Sequence, residues 1–381
     1  MKCYQLNIIL FKKIFFLACM LLTCIIAVAQ IKTEFAMHVP GKLKRSSEVY
    51  KFIQSFKAIP DAKAFSLAKT ATKIEDAVCS LPQLNPPIGF NAENDVATYD
   101  LELKNKEPSL NVFCYLRYLK KDLHTGAIKT SMDGADLYFN INEFDLFHQI
   151  GNYWEECDKI KFPIFFEALP VTDSTADYMQ TAIKGRTVRI VTTNKPLFIP
   201  LTRKEFLQFL IARDNYRIKE NRDLVNDENE QITDTKKNIS NPIYQSVKSR
   251  LEQTITTMEE QIKKLNGETT SLQQKIVHFR EVMNAMSTEE AAAPARLDYN
   301  KKSDELFGLE QLVPVGRREG VLLNRVNPDY YNHSVNAPAA QLITVYYYWP
   351  TIGFEKDPDY LQQTALDIFK QLNYHALKMS L

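Results

Sequence analysis

Side chains equipped for chemistry are thinly spread along this chain of 381 residues. The densest group is YWEECD, Tyr153 to Asp158, which sets Glu155, Glu156 and Asp158 beside Trp154. Carboxylates next to an aromatic ring suit glycoside hydrolysis, where one serves as acid and the other as base or nucleophile. That chemistry needs the pair on opposite sides of a bond, and sequence neighbours share one element. Asp133 and Asp136 in SMDGAD offer oxygens to calcium. They lack the alternating spacing that places several ligands on one loop, so an Asp-Gly turn between strands is expected instead. TVYYYWP puts Tyr346 and Tyr348 on one face of a strand, with Tyr347 and Trp349 on the other. An exposed row of this kind stacks on sugars, whereas a strand covered on both faces merely buries it.

The remaining chemistry is sparse. No G-x-S-x-G elbow, H-E-x-x-H pair, Walker loop, G-x-G-x-x-G or C-x-x-C occurs. The six histidines, His38, His124, His148, His278, His333 and His375, all lie more than ten residues apart. No metal and no cofactor is expected. Glycine makes up 11 of the 381 residues, under half the usual share of about 7%, which argues against Gly-rich phosphate loops.

The elements that would hold these residues divide into a body and an arm. EVYKFIQSF, from Glu48, reads as a first strand, and Asp61 to Leu81 as a helix capped by Asp61. Phe65, Leu67, Ala68, Ile74, Ala77 and Val78 supply that helix's apolar face. VATYDLEL, LNVFCYLRYL, DLYFNINEF and TVRIVTT are rich in β-branched and aromatic residues and read as strands. Turn signals separate them at Asn105 to Pro108, His124-Thr125-Gly126, Asp133-Gly134 and Lys184-Gly185. TVRIVTT and PLFIPL, joined through Asn194-Lys195, suggest a tight connection, with Pro196 and Pro200 confining the second to an edge. Past Ala292, GVLLNRV and QLITVYYYW read as strands and Asp357 to Leu381 as one amphipathic helix carrying Leu361, Ala365, Ile368, Phe369 and Leu372. Strands in runs beside segregated helices predict an α+β fold with a mostly antiparallel β-rich body, flanking helices and a long helical coiled-coil hairpin.

The hairpin follows Leu201. Thr202 and Glu205 form a capping-box pattern opening RKEFLQFLIARDNY. Ile211, Ile218, Val225, Ile232 and Ile239 then recur every seven residues among polar ones, and Pro242 ends the run. From Arg250 to Met286 the heptad is richer. Leu251, Met258, Leu265, Leu272, Phe279 and Met286 occupy d; Ile255, Ile262, Ile276 and Met283 occupy four of six a positions. Gly267 falls at f, facing water. Folded back on each other, 202–235 and 243–276 make a rod of about 50 Å at 1.5 Å per residue. The first helix carries one apolar residue per heptad, so it covers the rich seam incompletely. The expected organisation is a leader over 1–29, an α+β domain over 30–201, the arm over 202–290 and an α+β segment over 291–381. TEEAAAPAR, from Thr288, reads as a linker, and the last segment has too few elements for its own core.

The leader sets the expected address. Lys2, Lys12 and Lys13 precede an apolar run to Val28 that closes on Ala27-Val28-Ala29, the pattern of a cleaved secretory signal. A lipoprotein start at Cys19 or Cys24 competes with it, and the A-x-A site fits better. Removing three lysines from 47 basic residues leaves 44 against 46 acidic ones, a net charge of −2. That balance gives no electrostatic case for nucleic acid or anionic lipid. No transmembrane segment is expected in the remainder. Cys79, Cys114 and Cys157 stay behind, an odd number at wide spacing, read as buried free thiols. The function expected is an exported, non-enzymatic envelope protein, periplasmic or extracellular, whose arm binds itself or another envelope component. The alternative is a secreted hydrolase or a sugar- or peptide-binding protein with its site in the body.

Overall fold

Two helices of nearly equal length and two mainly antiparallel sheets organise the chain. The computed structural model describes residues 33–55, 59–97, 108–143, 145–148, 154–193, 195–303, 307–334, 337–349 and 360–381. The leader and the Asn105–Glu107 turn signal lie outside them.

The strands are β1 (Thr33–Phe35), β2 (Leu43–Lys44), β3 (Phe90–Ala97), β4 (Leu110–Asp122), β5 (Ile128–Ile141), β6 (Phe165–Glu167), β7 (Val171–Ser174), β8 (Met179–Ile183), β9 (Arg186–Thr192), β10 (Phe198–Pro200), β11 (Arg296–Leu297), β12 (Val321–Val326) and β13 (Leu342–Tyr348). The larger sheet runs β2-β3-β4-β5-β13-β9-β8-β7, with β1 added to β4. All its pairings are antiparallel except that of β2 with β3. The smaller sheet joins β10, β11 and β6 to β12. The helices are α1 (Val49–Gln54), α2 (Asp61–Cys79), α3 (Asp145–His148), α4 (Trp154–Lys159), α5 (Arg203–Ile239), α6 (Lys248–Ala285), α7 (Thr288–Ala292), α8 (Tyr360–Gln371) and α9 (Tyr374–Lys378). The chain is α+β.

Strand alternation sorts the larger sheet into two faces. Val112, Cys114, Leu116 and Tyr118 of β4 pack one way with Leu137, Phe139 and Ile141 of β5 and Ile343 and Val345 of β13. Two helices cover that face, α2 through Leu67, Ala71, Ile74 and Val78, and α8 through Leu361, Ala365, Ile368 and Phe369. Both sets recur at three and four residues, the spacing of one helical face. Arg189 of β9 is buried under these helices, with its guanidinium 4.3–4.7 Å from the ring centres of Tyr178, Phe369 and Tyr374. It donates to the Phe369 carbonyl at 3.0 Å, which pins the α8–α9 corner to the sheet. The other face carries Val188, Ile190, Leu342 and Tyr346 against Phe147, Phe166, Leu197 and Tyr330.

Several expectations change. EVYKFIQSF is not a strand: Val49–Gln54 is helical and buries Ile53. Pro60 rather than Asp61 stands at the N-cap of α2, and Asp61 is its first residue. Phe65 is 65% exposed and meets the Tyr50 ring edge-on at 5.9 Å instead of joining the core. Asp133-Gly134 is no turn, because both residues lie inside β5. Gly134 is needed there for close approach, since a Cβ would sit 1.8 Å from the Leu116 carbonyl oxygen. β9 and β10 are not partners: β9 pairs with β8 and β13, and β10 with β12 in the other sheet. TEEAAAPAR is not a bare linker, as it contains α7 and leads into β11. The last amphipathic run breaks at Asn373, whose side chain accepts from the Ala376 N–H at 3.0 Å and starts α9. The His124-Thr125-Gly126 and Lys184-Gly185 turns occur as expected.

Candidate interaction arm

The arm begins with a cap. The Glu205 N–H donates to Thr202 Oγ1 at 3.2 Å, and the Thr202 N–H donates to Glu205 Oε2 at 2.8 Å. Both satisfy helix-terminal donors, as the capping box requires. Arg325 of β12 reaches Glu205 Oε1 at 2.8 Å, tying the cap to the smaller sheet. Burial alone would raise the Glu205 pKa, but the bonds from Thr202 and Arg325 outweigh it and hold the carboxyl below its ordinary range.

The two strands of chain entering and leaving the arm are clamped together. The Arg203 N–H donates to the Ala293 carbonyl at 2.9 Å, and the Ala295 N–H to the Leu201 carbonyl at 2.8 Å. Arg203 also donates to the Val313 carbonyl. Inside the clamp lies a separate apolar core. Phe206, Leu207, Phe209 and Leu210 of α5 and Phe279 of α6 are buried there with Phe165, Leu297, Phe307 and Leu323. Phe209 meets Phe165 edge-on at 4.8 Å and Phe162 at 5.6 Å. One turn further out, the buried Arg213 holds the fully buried Asp214 at 3.0 Å and donates to the Phe307 carbonyl at 2.8 Å.

Beyond this root, α5 and α6 contact each other. Asn221 donates to Thr269 at 3.4 Å, and Lys236 lies 3.7 Å from Glu259. The two contacts fix an antiparallel register in which one helix advances as the other returns. Of the seam residues, Ile255, Leu265, Ile276 and Phe279 are buried, against Ile218 and Ile232 on the opposing helix. Leu251, Met258, Ile262, Leu272 and Met283 are only half-buried. A partner with one apolar residue per heptad therefore covers the seam in part, as its composition implied. The helices are 37 and 38 residues long, and a six-residue 3₁₀ segment, Pro242–Val247, connects them at the tip. Here Asn241 Oδ1 accepts from the Ile243 N–H at 3.1 Å, and Gln245 donates to the Ile239 carbonyl at 3.2 Å.

The carboxylate candidates Glu155 and Glu156 share one short helix, α4. Trp154 starts α4, and its side chain lies outside the described residues. Glu155 on the same short helix is exposed, while Glu156 lies 3.6 Å from Arg217 of α5. Glu156 lines an open cleft with Lys159, Ile160, Arg213, Tyr216, Arg217 and Glu220. Its volume of about 60 Å³ accommodates a few waters and falls far short of a sugar. Tyr216 donates to Glu220, so that carboxylate is engaged too. Asp136 is paired with Arg117, and Asp133 lies 3.4 Å from Lys120. No group of three or more His, Cys, Asp or Glu suited to a metal occurs among the described residues.

The tyrosine candidates sit elsewhere, on the second face of the larger sheet. Tyr346 is buried and stacks on Tyr138 with ring centres 4.7 Å apart. Burial pushes the Tyr138 phenol up, and the adjacent Asp136 carboxylate adds to the effect. Arg186 lies over Tyr346 at 5.6 Å and over the half-buried Tyr348 at 5.0 Å. Tyr347 faces the helices, 5.4 Å from Phe369. Cys79, Cys114 and Cys157 are free and buried; burial raises all three thiols, Cys157 to about 12. The Arg213–Asp214 pair was not singled out by sequence, because adjacent charges on a polar helix read as solvated.

No known protein family, curated protein or solved structure matches the chain. No helix among the described residues is long and apolar enough to cross a membrane.

Proposed function

We propose that this is an exported, non-enzymatic envelope protein that uses the helical hairpin as a docking arm. One observation carries the reading. The α5–α6 hairpin is rooted in its own aromatic core and then extends far past it, with the two helices as each other's packing partners. A structure that only needed to close a fold would end near Ile218 and Ile276. The remaining shaft adds length, an incompletely covered seam and a tip. The leader pattern supports export.

The test shortens the arm. Residues 222–268 are replaced by a short Gly-Ser turn joining Asn221 to Thr269, which already touch. The body is expected to keep its melting temperature, and the longest dimension in small-angle scattering to fall by about 30 Å at 1.5 Å per residue. Retention with the envelope fraction of the producing cell is expected to be lost. A shortened chain that remains with the envelope as well as the full one overturns the reading.

A second reading, sugar or peptide binding by the body, is favoured by Tyr346 and Tyr348 under Arg186, with Tyr138 stacked on Tyr346. Tyr348→Ala would then abolish binding found by calorimetry against a saccharide and peptide panel, and an empty panel removes this reading.

A further inference from the structure

We infer that the tip of the arm is a lipid-contact element that seats in the headgroup region of an anionic bilayer; this rests on the docking-arm reading. Three of the six residues in Pro242–Val247 are large, apolar and open to solvent: Ile243 at 80%, Tyr244 at 40% and Val247 at 41%. Exposed apolar residues scattered singly need no explanation, and Leu224 and Val277 on the shaft are of that kind. A cluster at the far end of a rod is different. The turn that displays it is fixed by the Asn241 and Gln245 hydrogen bonds, so the exposure is built in.

Charge selects the partner. From Thr235 to Arg250 the chain holds Lys236, Lys237, Lys248 and Arg250 and no acidic residue. Lys236, Lys237 and Lys248 lie within 4 Å of Glu259, Asp234 and Glu252, but those pairs are solvent-exposed and salt-screened. Behind this collar α5 is acidic, with Asp223, Asp227, Glu228, Glu230 and Asp234. Elsewhere on the arm cations are interspersed with acids, as Arg222 with Asp223 and Lys263 and Lys264 with Glu259, Glu260 and Glu268; the tip is the stretch where cations stand with no acid between them. An anionic surface attracts such a collar, and long cationic side chains reach headgroups while apolar neighbours enter the boundary beneath. Tyrosine is enriched at that depth. A protein groove for a helix would call for anchors at i, i+3, i+4 and i+7 along one face. The three side chains here share one short turn, which suits a surface better than a groove.

The experiment uses the chain as processed by the producing cell, with vesicles of equimolar phosphatidylglycerol and phosphatidylcholine or of phosphatidylcholine alone. Co-sedimentation at about 0.15 M salt is expected with the anionic vesicles and not with the neutral ones. The triple change Ile243→Ser, Tyr244→Ser, Val247→Ser is expected to weaken it at least ~tenfold with circular dichroism unchanged. Tyr244→Trp supplies a local readout, a blue shift of its emission on adding anionic vesicles. Absent binding, binding insensitive to the triple change, or tip-dependent cross-linking to a protein without any blue shift each overturns the lipid assignment. If the shortened-arm chain also stays with the envelope, the docking reading falls as well; if it is released, only the lipid partner was wrong.

Discussion

Phe279 and Leu265 occupy the same heptad position two heptads apart along one helix, yet they should fail in different ways. Phe279 is buried in the root among Phe206, Leu210 and Leu297. Truncating a buried Phe to Ala removes about 3–5 kcal/mol, a large share of a global stability of about 5–15 kcal/mol. Leu265 is buried too, but only between two helices of the shaft. Its truncation should cost about 2 kcal/mol, the low end for Leu to Ala, because the half-buried seam around it can collapse. That cost belongs to opening the shaft, so amides over 222–268 should exchange about thirtyfold faster at 1.4 kcal/mol per decade. Urea unfolding of the body, followed by aromatic circular dichroism, should shift to lower midpoint for Phe279→Ala and stay put for Leu265→Ala. Hydrogen exchange read by mass spectrometry should show the reverse localisation. Equal midpoint shifts for the two variants would refute the separation of shaft from root.

Arg213→Leu should destabilise by about 3–5 kcal/mol, because it strands the buried Asp214 carboxylate, while Arg213→Met with Asp214→Leu should recover most of the loss in thermal melts. Gly134→Ala should prevent folding or cost several kcal/mol, since the new Cβ collides with backbone, whereas Gly267→Ala meets nothing within 4 Å and should add about 1 kcal/mol to the shaft. Two carboxyls should respond to pH with opposite signs. Burial raises Glu75 above its unfolded value, so its charged form opposes folding above that folded pKa; Glu75→Gln should stabilise at neutral pH, with the gain vanishing in acid below about 4.5. Glu205 is held low, so its contribution is present above the unfolded value and lost as pH falls through the folded one; Glu205→Gln should destabilise at neutral pH and matter little in acid.

The parts of the chain that were legible are those whose signals are local. The Thr202–Glu205 cap spans three residues and states its own geometry. The heptad from Leu251 to Met286 repeats often enough to fix a helix and its buried side. β4 and β9 form where β-branched and aromatic residues cluster, and both faces of each are largely covered. Where one distant neighbour decides, sequence misleads. EVYKFIQSF has strand-forming residues, but packing on α2 sets it as a helix, with Ile53 inward and Tyr50 against Phe65. Gly134 resembles a turn residue because Asp precedes it, and its true reason is the Leu116 carbonyl on the neighbouring strand. Arg213 and Asp214 look solvated until Phe307, 94 positions on, closes over them. The tip carried a readable signal, a run of sixteen residues with four cations and no anion around Ile243 and Tyr244. Heptad counting passes over it because the tip is where the heptads stop.

The root explains how so thin a hairpin can stand. Two helices joined by one shared apolar stripe are marginal in water, since helix nucleation is costly and tertiary packing supplies most helical stability. Here nucleation is taken over by the body. The cap starts α5, the Leu201–Ala295 and Arg203–Ala293 hydrogen bonds hold the two ends side by side, and the aromatic core fixes their axes. Each further turn then only propagates, at the expense of a few contacts per heptad. An arm built this way is free to keep its outer surface polar and its seam half-covered, which a self-standing pair of helices could not do. Stability supplied at one end leaves the other end available for contact, and that is where the exposed apolar residues and the cationic collar are found.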